Sequence, residues 1–318
     1  ATRPLFILYS FTILGNLIYE TSTGVLQIGG HFRSQAVINV GQSALTALII
    51  LVAFFLKGDL QVILIAYLVG KVILGTAPAI LAFHRLNEML GPGWWRAPFS
   101  LLPPLRQLFG FAFNTNLSAT ITLLVRDSEV LWISLLMGNT EAGFYKVALA
   151  IINLVTVPVT PLISTTYPEI SKVAALQDWP RMRWMLRRMT ALSGGYSLLT
   201  GVGLVILGSW LVLWYGPDAG PAYPALLILL LGYGAANTLY WNRHLLLSTG
   251  HASAPTVVSA IAGFAKVGLV FYVIPRFGYI GEAWLLSAYF LVSNLILGWL
   301  GLRAIRQAEQ TQPVGSSA

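Results

Sequence analysis

Three stretches of this chain, Ala36 to Leu56, Leu60 to Phe83 and Ser193 to Trp214, carry almost no charge. Each runs about 20 residues or more, long enough as a helix to cross a ~30 Å hydrocarbon layer. The composition agrees: 56% of the 318 residues are hydrophobic and 9% are charged, against roughly 25% charged in an average soluble domain. Strands of a membrane β-barrel would alternate apolar and polar residues over about 10 positions, whereas these runs are continuously apolar. The expected fold class is all-α, a polytopic membrane helical bundle. There is no cysteine, which removes disulfides, zinc–thiolate sites and iron–sulfur clusters. The first residue is alanine and no leader with a cleavage site precedes the first span, so the start is processed or the sequence is a fragment.

Breaking the apolar runs at charges and Gly/Pro clusters gives nine expected spans, near 5–28, 36–56, 60–83, 106–136, 141–166, 189–214, 222–247, 253–275 and 279–302. Lysine and arginine set their orientation. Twelve fall on one side (Arg33, Arg85, Arg96, Arg106, Lys172, Arg181, Arg183, Arg187, Arg188, Arg243, Arg303 and Arg306) and three on the other (Arg3, Lys57 and Arg276). The basic side, with the C-terminus, is expected in the cytoplasm. The net charge of +8 is thereby spread over loops, and a nucleic-acid partner is not expected. Residues 84–105, rich in Gly, Pro and Trp, read as a linker lying on the membrane. Residues 167–188 read as an amphipathic cytoplasmic helix resting Arg181, Arg183, Arg187 and Arg188 on anionic lipid.

A weak internal repeat organises the spans. Gly30-His31 matches Gly250-His251, and Gly58 matches Gly278 at the same offset. After a small insertion, VILG at 72–75 matches LILG at 295–298. The second and third spans thus recur as the eighth and ninth, six helices later and in the same orientation. Parallel six-helix repeats about an axis along the membrane normal are a transporter plan, and a six-helix period places three further helices before residue 1. The expected domains are 1–83, the remainder of an N-terminal lobe; 84–105, the linker; 106–302, a six-helix C-terminal lobe; and 303–318, a cytoplasmic tail.

Several segments, in order, resemble a known family: GGHFRSQAVINVGQS, LRQLFGFAFNTNLSATITLLVRDSEVLWISLLMGNTEAGFYKVA, PLISTTYPEISKVAALQD, WYGPDAGPAYPALLILLLG and STGHASAPTVVSAIAGFAKVGLVFYVIPRFGYIGEA. The chain resembles the polysaccharide and oligosaccharide flippases of the multidrug/oligosaccharidyl-lipid/polysaccharide exporter superfamily, which also holds the multidrug and toxin extruders and the lipid II flippase. The resemblance covers nearly the whole chain. It implies two six-helix lobes around a cavity that opens alternately inward and outward, of which this chain holds helices four to twelve. It also implies transfer of undecaprenyl-pyrophosphate-linked oligosaccharide across a bacterial or archaeal plasma membrane for cell-surface polysaccharide such as O-antigen, by a monomer without a cofactor beyond a coupling H+ or Na+.

The charges inside the spans are the candidate site, because intramembrane ionisable groups usually face a cavity or a partner. In LLVRDSEVLWISLL, Arg126 and Glu129 share a helical face and Asp127 points about 100° away. One reading has Arg126 binding pyrophosphate or acidic sugars, with Asp127 or Glu129 holding it or coupling to a cation; the other has a local ion pair near the external interface. Lys71 and Lys266 are the deeper cavity cations, whereas Lys146 near the external face is read as snorkelling. Glu20 is placed as a partner for one of the deep lysines or at a cytoplasmic helix end. Asn114 and Asn116 are candidates for sugar hydroxyls or for helix-to-helix hydrogen bonds.

Enzyme readings fare poorly, since His31, His84, His244 and His251 are scattered without metal-ligand spacing and no phosphate-cradling glycine loop with lysine is present. The alternatives are a cation-coupled multidrug antiporter of the same superfamily, which calls for an acidic rather than basic lumen, and a non-transporting assembly partner of polysaccharide export.

Overall fold

The computed structural model describes residues 10–28, 32–56, 60–91, 93–96, 98, 104–106, 109, 123, 128–251 and 253–310. Among these, every regular element is helical, as the bilayer demands: with no water to take up a backbone N–H or C=O, a lipid-facing segment satisfies its polar groups internally. The surface is apolar where a soluble protein's is polar. Leu198, Leu199, Ile206 and Ile261 lie mid-helix and are each about two-thirds or more exposed, whereas Glu129, Lys266, Glu282 and Ser287 are buried. Among the described residues six helices are long and apolar enough to cross a membrane: Arg33–Phe55, Gln61–Leu90, Asn139–Val159, Trp179–Leu213, Ala222–Ser248 and Ser253–Gln310. This is a multi-pass membrane protein.

The chain divides into two compact units, Ala1–Leu105 and Arg106–Ala318. In the first, α1 (Thr12–Ile28), α2 (Phe32–Phe55) and α3 (Leu60–Leu90) follow one another. Helix α3 packs against both others, and the Asn39 side-chain amide donates to the Tyr19 hydroxyl at 2.9 Å to tie α2 to α1. The expected linker starts later than its composition indicates, because residues 84–90 continue α3. That last part of the helix is held by the exposed Arg85–Glu88 pair at 2.5 Å and by Trp94, whose indole donates to Asn87 at 3.1 Å.

The second unit begins, among the described residues, with α4 (Glu129–Leu136). The rest of the expected 106–136 span lies largely outside the described residues. After Gly138 come α5 (Asn139–Thr156), a 3-10 turn over Val157–Val159 around Pro158, and α6 (Thr160–Ala175). The proline removes a ladder donor at the turn, so the expected 141–166 span is two helical pieces that run on to Ala175. Helix α7 (Trp179–Leu213) starts at Asp178, whose carboxylate accepts the Arg181 backbone N–H at 3.0 Å and so caps an orphan donor. The separate amphipathic helix expected over 167–188 is therefore absent: residues 167–175 finish α6, a turn spans 176–178, and 179–188 are the opening turns of α7. Its alternating pattern is that of an ordinary helix end, with Met182 and Leu186 buried and Arg187 and Arg188 outward.

Helices α8 (Ala222–Thr238), α9 (Asn242–Ser248) and α10 (Ser253–Gln310) complete the unit. Helix α10 consists of two arms that meet at Gly278, where φ is 66° and ψ −159°. A residue with a side chain is strongly disfavoured in that conformation, so a single glycine makes the connection between the last two spans. Helix α8 packs against α5, α7 and α10, burying Tyr145, Ile152, Leu226, Leu229 and Leu286 in the main core. The second arm continues past the last expected span to Gln310, so the expected tail begins as helix.

Candidate functional site

The sequence puts few charges inside the spans of the second unit, and the fold gathers three of them. Glu129 opens α4, Lys266 lies on the first arm of α10, and Glu282 lies one turn past Gly278 on the second arm. The Lys266 ammonium sits 2.5 Å from Glu129 Oε1 and 3.1 Å from Glu282 Oε1. Lys266 is 4% exposed, Glu129 2% and Glu282 0%, so the cluster is dry. At such burial the attraction between opposite charges is strong, and so is the penalty for stranding any one of them.

Satisfaction within the cluster is uneven. Lys266 donates a hydrogen bond to Glu129, whereas both Glu282 oxygens are buried without a hydrogen-bond partner among the described residues. Glu282 is held through its 3.1 Å ion pair with Lys266, the longer of the two contacts that the ammonium makes. Tyr145 on α5 is fully buried within the electrostatic reach of both glutamates, and its hydroxyl likewise has no partner among the described residues. A buried carboxylate with vacant acceptor positions can accept a proton or a small monovalent cation with little rearrangement. Helix α4 and both arms of α10 meet at this point, so a change of charge here bears on all three.

Lys266 and Glu129, both singled out by sequence, are thus each other's partners. Glu282 was missed. It lies four residues after the glycine that joins the last two spans, where an acid reads as interfacial, and its only signal was being the one acidic residue of the last span. Glu20 is exposed on α1 and Lys71 half-buried on α3, and they form no ion pair with each other. Lys146 is exposed on α5. Arg126, Asp127, Asn114 and Asn116 lie outside the described residues.

A second feature lies at the opposite end of the unit from Gly278. The start of α7, the α8–α9 turn and the end of α10 enclose a pocket of about 570 Å³ lined in part by Arg183, Arg187, Arg306 and Trp241.

Residues 1–174 match the model of a family described as polysaccharide biosynthesis protein. No curated protein matches the sequence. Among solved structures, the chain is similar to an inward-facing multidrug resistance MATE family transporter of the MOP superfamily, at 14% identity and TM-score 0.72, over 97% of this chain and 73% of that one. It is similar to the Vibrio cholerae MATE transporter VcmN at 14% identity and TM-score 0.65, over 96% and 69%. A MATE structure in a bent conformation matches at 14% identity and TM-score 0.68, over 96% and 70%. At these identities the likeness is one of fold.

Proposed function

Because the chain belongs to the polysaccharide biosynthesis protein family, we propose that it is a flippase for an anionic lipid-linked oligosaccharide, of the undecaprenyl-pyrophosphate class, working by alternating access in a plasma membrane. The family match over residues 1–174 carries this reading, and the fold shared with MATE transporters supports it. Orientation follows the basic residues, with the C-terminus cytoplasmic, and the working form is a monomer. Arg126 and Lys71 are assigned to the pyrophosphate and acidic groups of the substrate, since guanidinium offers paired hydrogen bonds to anionic oxygens. Asn114 and Asn116 are assigned to sugar hydroxyls. Asp127 positions Arg126, and Glu20 remains a coupling candidate on the first unit.

Coupling is assigned to the Glu129–Lys266–Glu282 cluster, with H+ or Na+ as the driving ion. The supporting observation is Glu282, a fully buried carboxylate with no hydrogen bond among the described residues. Charging and neutralising it alters the hold of Lys266 on Glu129, and hence the packing of α4 against α10. Lys266 itself, an expected cavity cation, is in this arrangement enclosed by carboxylates and becomes available to an anionic ligand only when they release it.

The test is reconstitution into vesicles carrying a fluorescent lipid-linked oligosaccharide, with and without an imposed proton or sodium gradient. Wild-type protein should flip the lipid faster with the gradient. Glu282→Gln should flip at a rate independent of it, and Arg126→Gln should not flip while melting as wild type does. Gradient-dependent flipping by Glu282→Gln would remove the coupling assignment, and wild-type rates in Arg126→Gln would remove the anion-site assignment. The second reading, a cation-coupled multidrug antiporter, is favoured by the buried glutamate pair and the MATE fold; gradient-driven efflux of a cationic dye, with no flipping of the sugar lipid, would establish it.

A further inference from the structure

We propose that the pocket between the start of α7 and the end of α10 is a binding site for the phosphate of an anionic bilayer phospholipid. Its charged lining is entirely basic: Arg183, Arg187 and Arg306. Glu309 pairs with Arg183, which leaves the exposed guanidinium groups of Arg187 and Arg306 without an ion pair among the described residues. Donors are also left vacant. Arg183 Nε is buried with no hydrogen-bond partner among the described residues. Thr190 Oγ1 accepts the Trp241 indole N–H at 2.8 Å, which leaves the hydroxyl proton to donate. Three arginines and a hydroxyl around one concavity are the donor set that phosphate oxygens take up, because each guanidinium can present two parallel N–H groups to them.

The rest of the wall identifies the source of the phosphate. Leu186, Leu239, Leu302 and Ile305 supply an apolar floor, and the neighbouring Leu192 and Trp299 are about 60% exposed. The pocket therefore sits where headgroups meet hydrocarbon, with a tryptophan at the boundary as interfacial tryptophans are. At about 570 Å³ it is of the size that holds a small organic ligand, about 300–1,000 Å³. A bare phosphate would leave the apolar floor wet; a phospholipid covers it with its first methylenes. The nearby Arg188 and Arg303 are turned away, over the rings of Trp184 and Trp299, and do not line the pocket. This differs from general attraction of a basic surface to an anionic leaflet: it predicts one retained lipid, held by particular arginines.

The experiment is native mass spectrometry of the full chain released from nanodiscs of equal parts phosphatidylcholine and phosphatidylglycerol. Wild type should retain one phosphatidylglycerol selectively. Arg187→Gln/Arg306→Gln should retain it roughly 10- to 30-fold less, from the charge-assisted hydrogen bonds lost at two guanidinium groups. Arg188→Gln/Arg303→Gln, with the same loss of charge, should retain it as wild type does. All four positions are exposed, so both variants should melt as wild type does; a variant that fails to is replaced by its lysine counterpart, which keeps the charge but loses the paired donors. Equal loss in both pairs, or loss in neither, overturns the proposal. Stripping of the lipid by millimolar inorganic phosphate would make this a free-phosphate site, and displacement by an equal amount of undecaprenyl phosphate would make it a site for the transported class of lipid; either overturns the assignment to bulk phospholipid.

Discussion

Replacing Lys266 by methionine keeps the length of the side chain and removes its charge from between two carboxylates 2.5 and 3.1 Å away. All three residues are at most 4% exposed, so water cannot replace the lost ammonium. Breaking a buried ion pair by deleting one partner costs about 3–5 kcal/mol. The two contacts share one ammonium, so the figure is taken once. For a unit of this size that is a fall in melting temperature of roughly 10 °C, read by heating purified protein in detergent and measuring the monodisperse fraction. The decisive comparison is Glu129→Gln/Lys266→Met/Glu282→Gln. If stranded charge is the cause, the triple variant should recover most of the loss, since an ion cluster exchanged for neutral groups is often near neutral in stability. A single variant that melts with wild type, or a triple variant no more stable than the single, refutes the electrostatic account.

Two backbone predictions concern the same helices. A Cβ at Gly232 on α8 would lie 2.5 Å from Ser287 Cα on α10, and backbone cannot swing aside. Gly232→Ala should therefore force the helices apart and destabilise by about 1–3 kcal/mol, whereas Gly234→Ala, which meets nothing within 4 Å, should melt close to wild type. Gly278→Ala should cost about 1–3 kcal/mol through its backbone conformation. The nearest obstacle there is the flexible end of Met137 at 3.3 Å, so Gly278→Ala/Met137→Ala should show no rescue; full rescue would make the effect steric.

The all-helical membrane fold was legible because runs such as Ala36 to Leu56 have no other stable arrangement in lipid. The ends of helices were not. Apolar runs stop where lipid stops, but a helix continues into water while its ladder and caps hold, as α3 does to Leu90 and α10 to Gln310. The same blindness turned the end of α6 and the start of α7 into one supposed surface helix. The break at Val157–Val159 was marked by Pro158 and could have been read. For the site, charge inside a span singled out Glu129 and Lys266, yet periodicity relates a residue only to neighbours a few positions away. It paired Glu129 with Arg126, and nothing local points to a lysine 137 residues later.

That separation matters to a ribosome. At about 5–20 residues per second, Lys266 emerges roughly 7–27 s after Glu129, and Glu282 later still. During that interval the acid has to wait in the insertion machinery, or at the edge of the bilayer, without the counter-charge that makes it tolerable in hydrocarbon. Helix α4 can be seated for good only after both arms of α10 have been made. Nascent chains arrested before Lys266 should accordingly be prey for membrane quality-control proteases, and chains released after Glu282 should escape them.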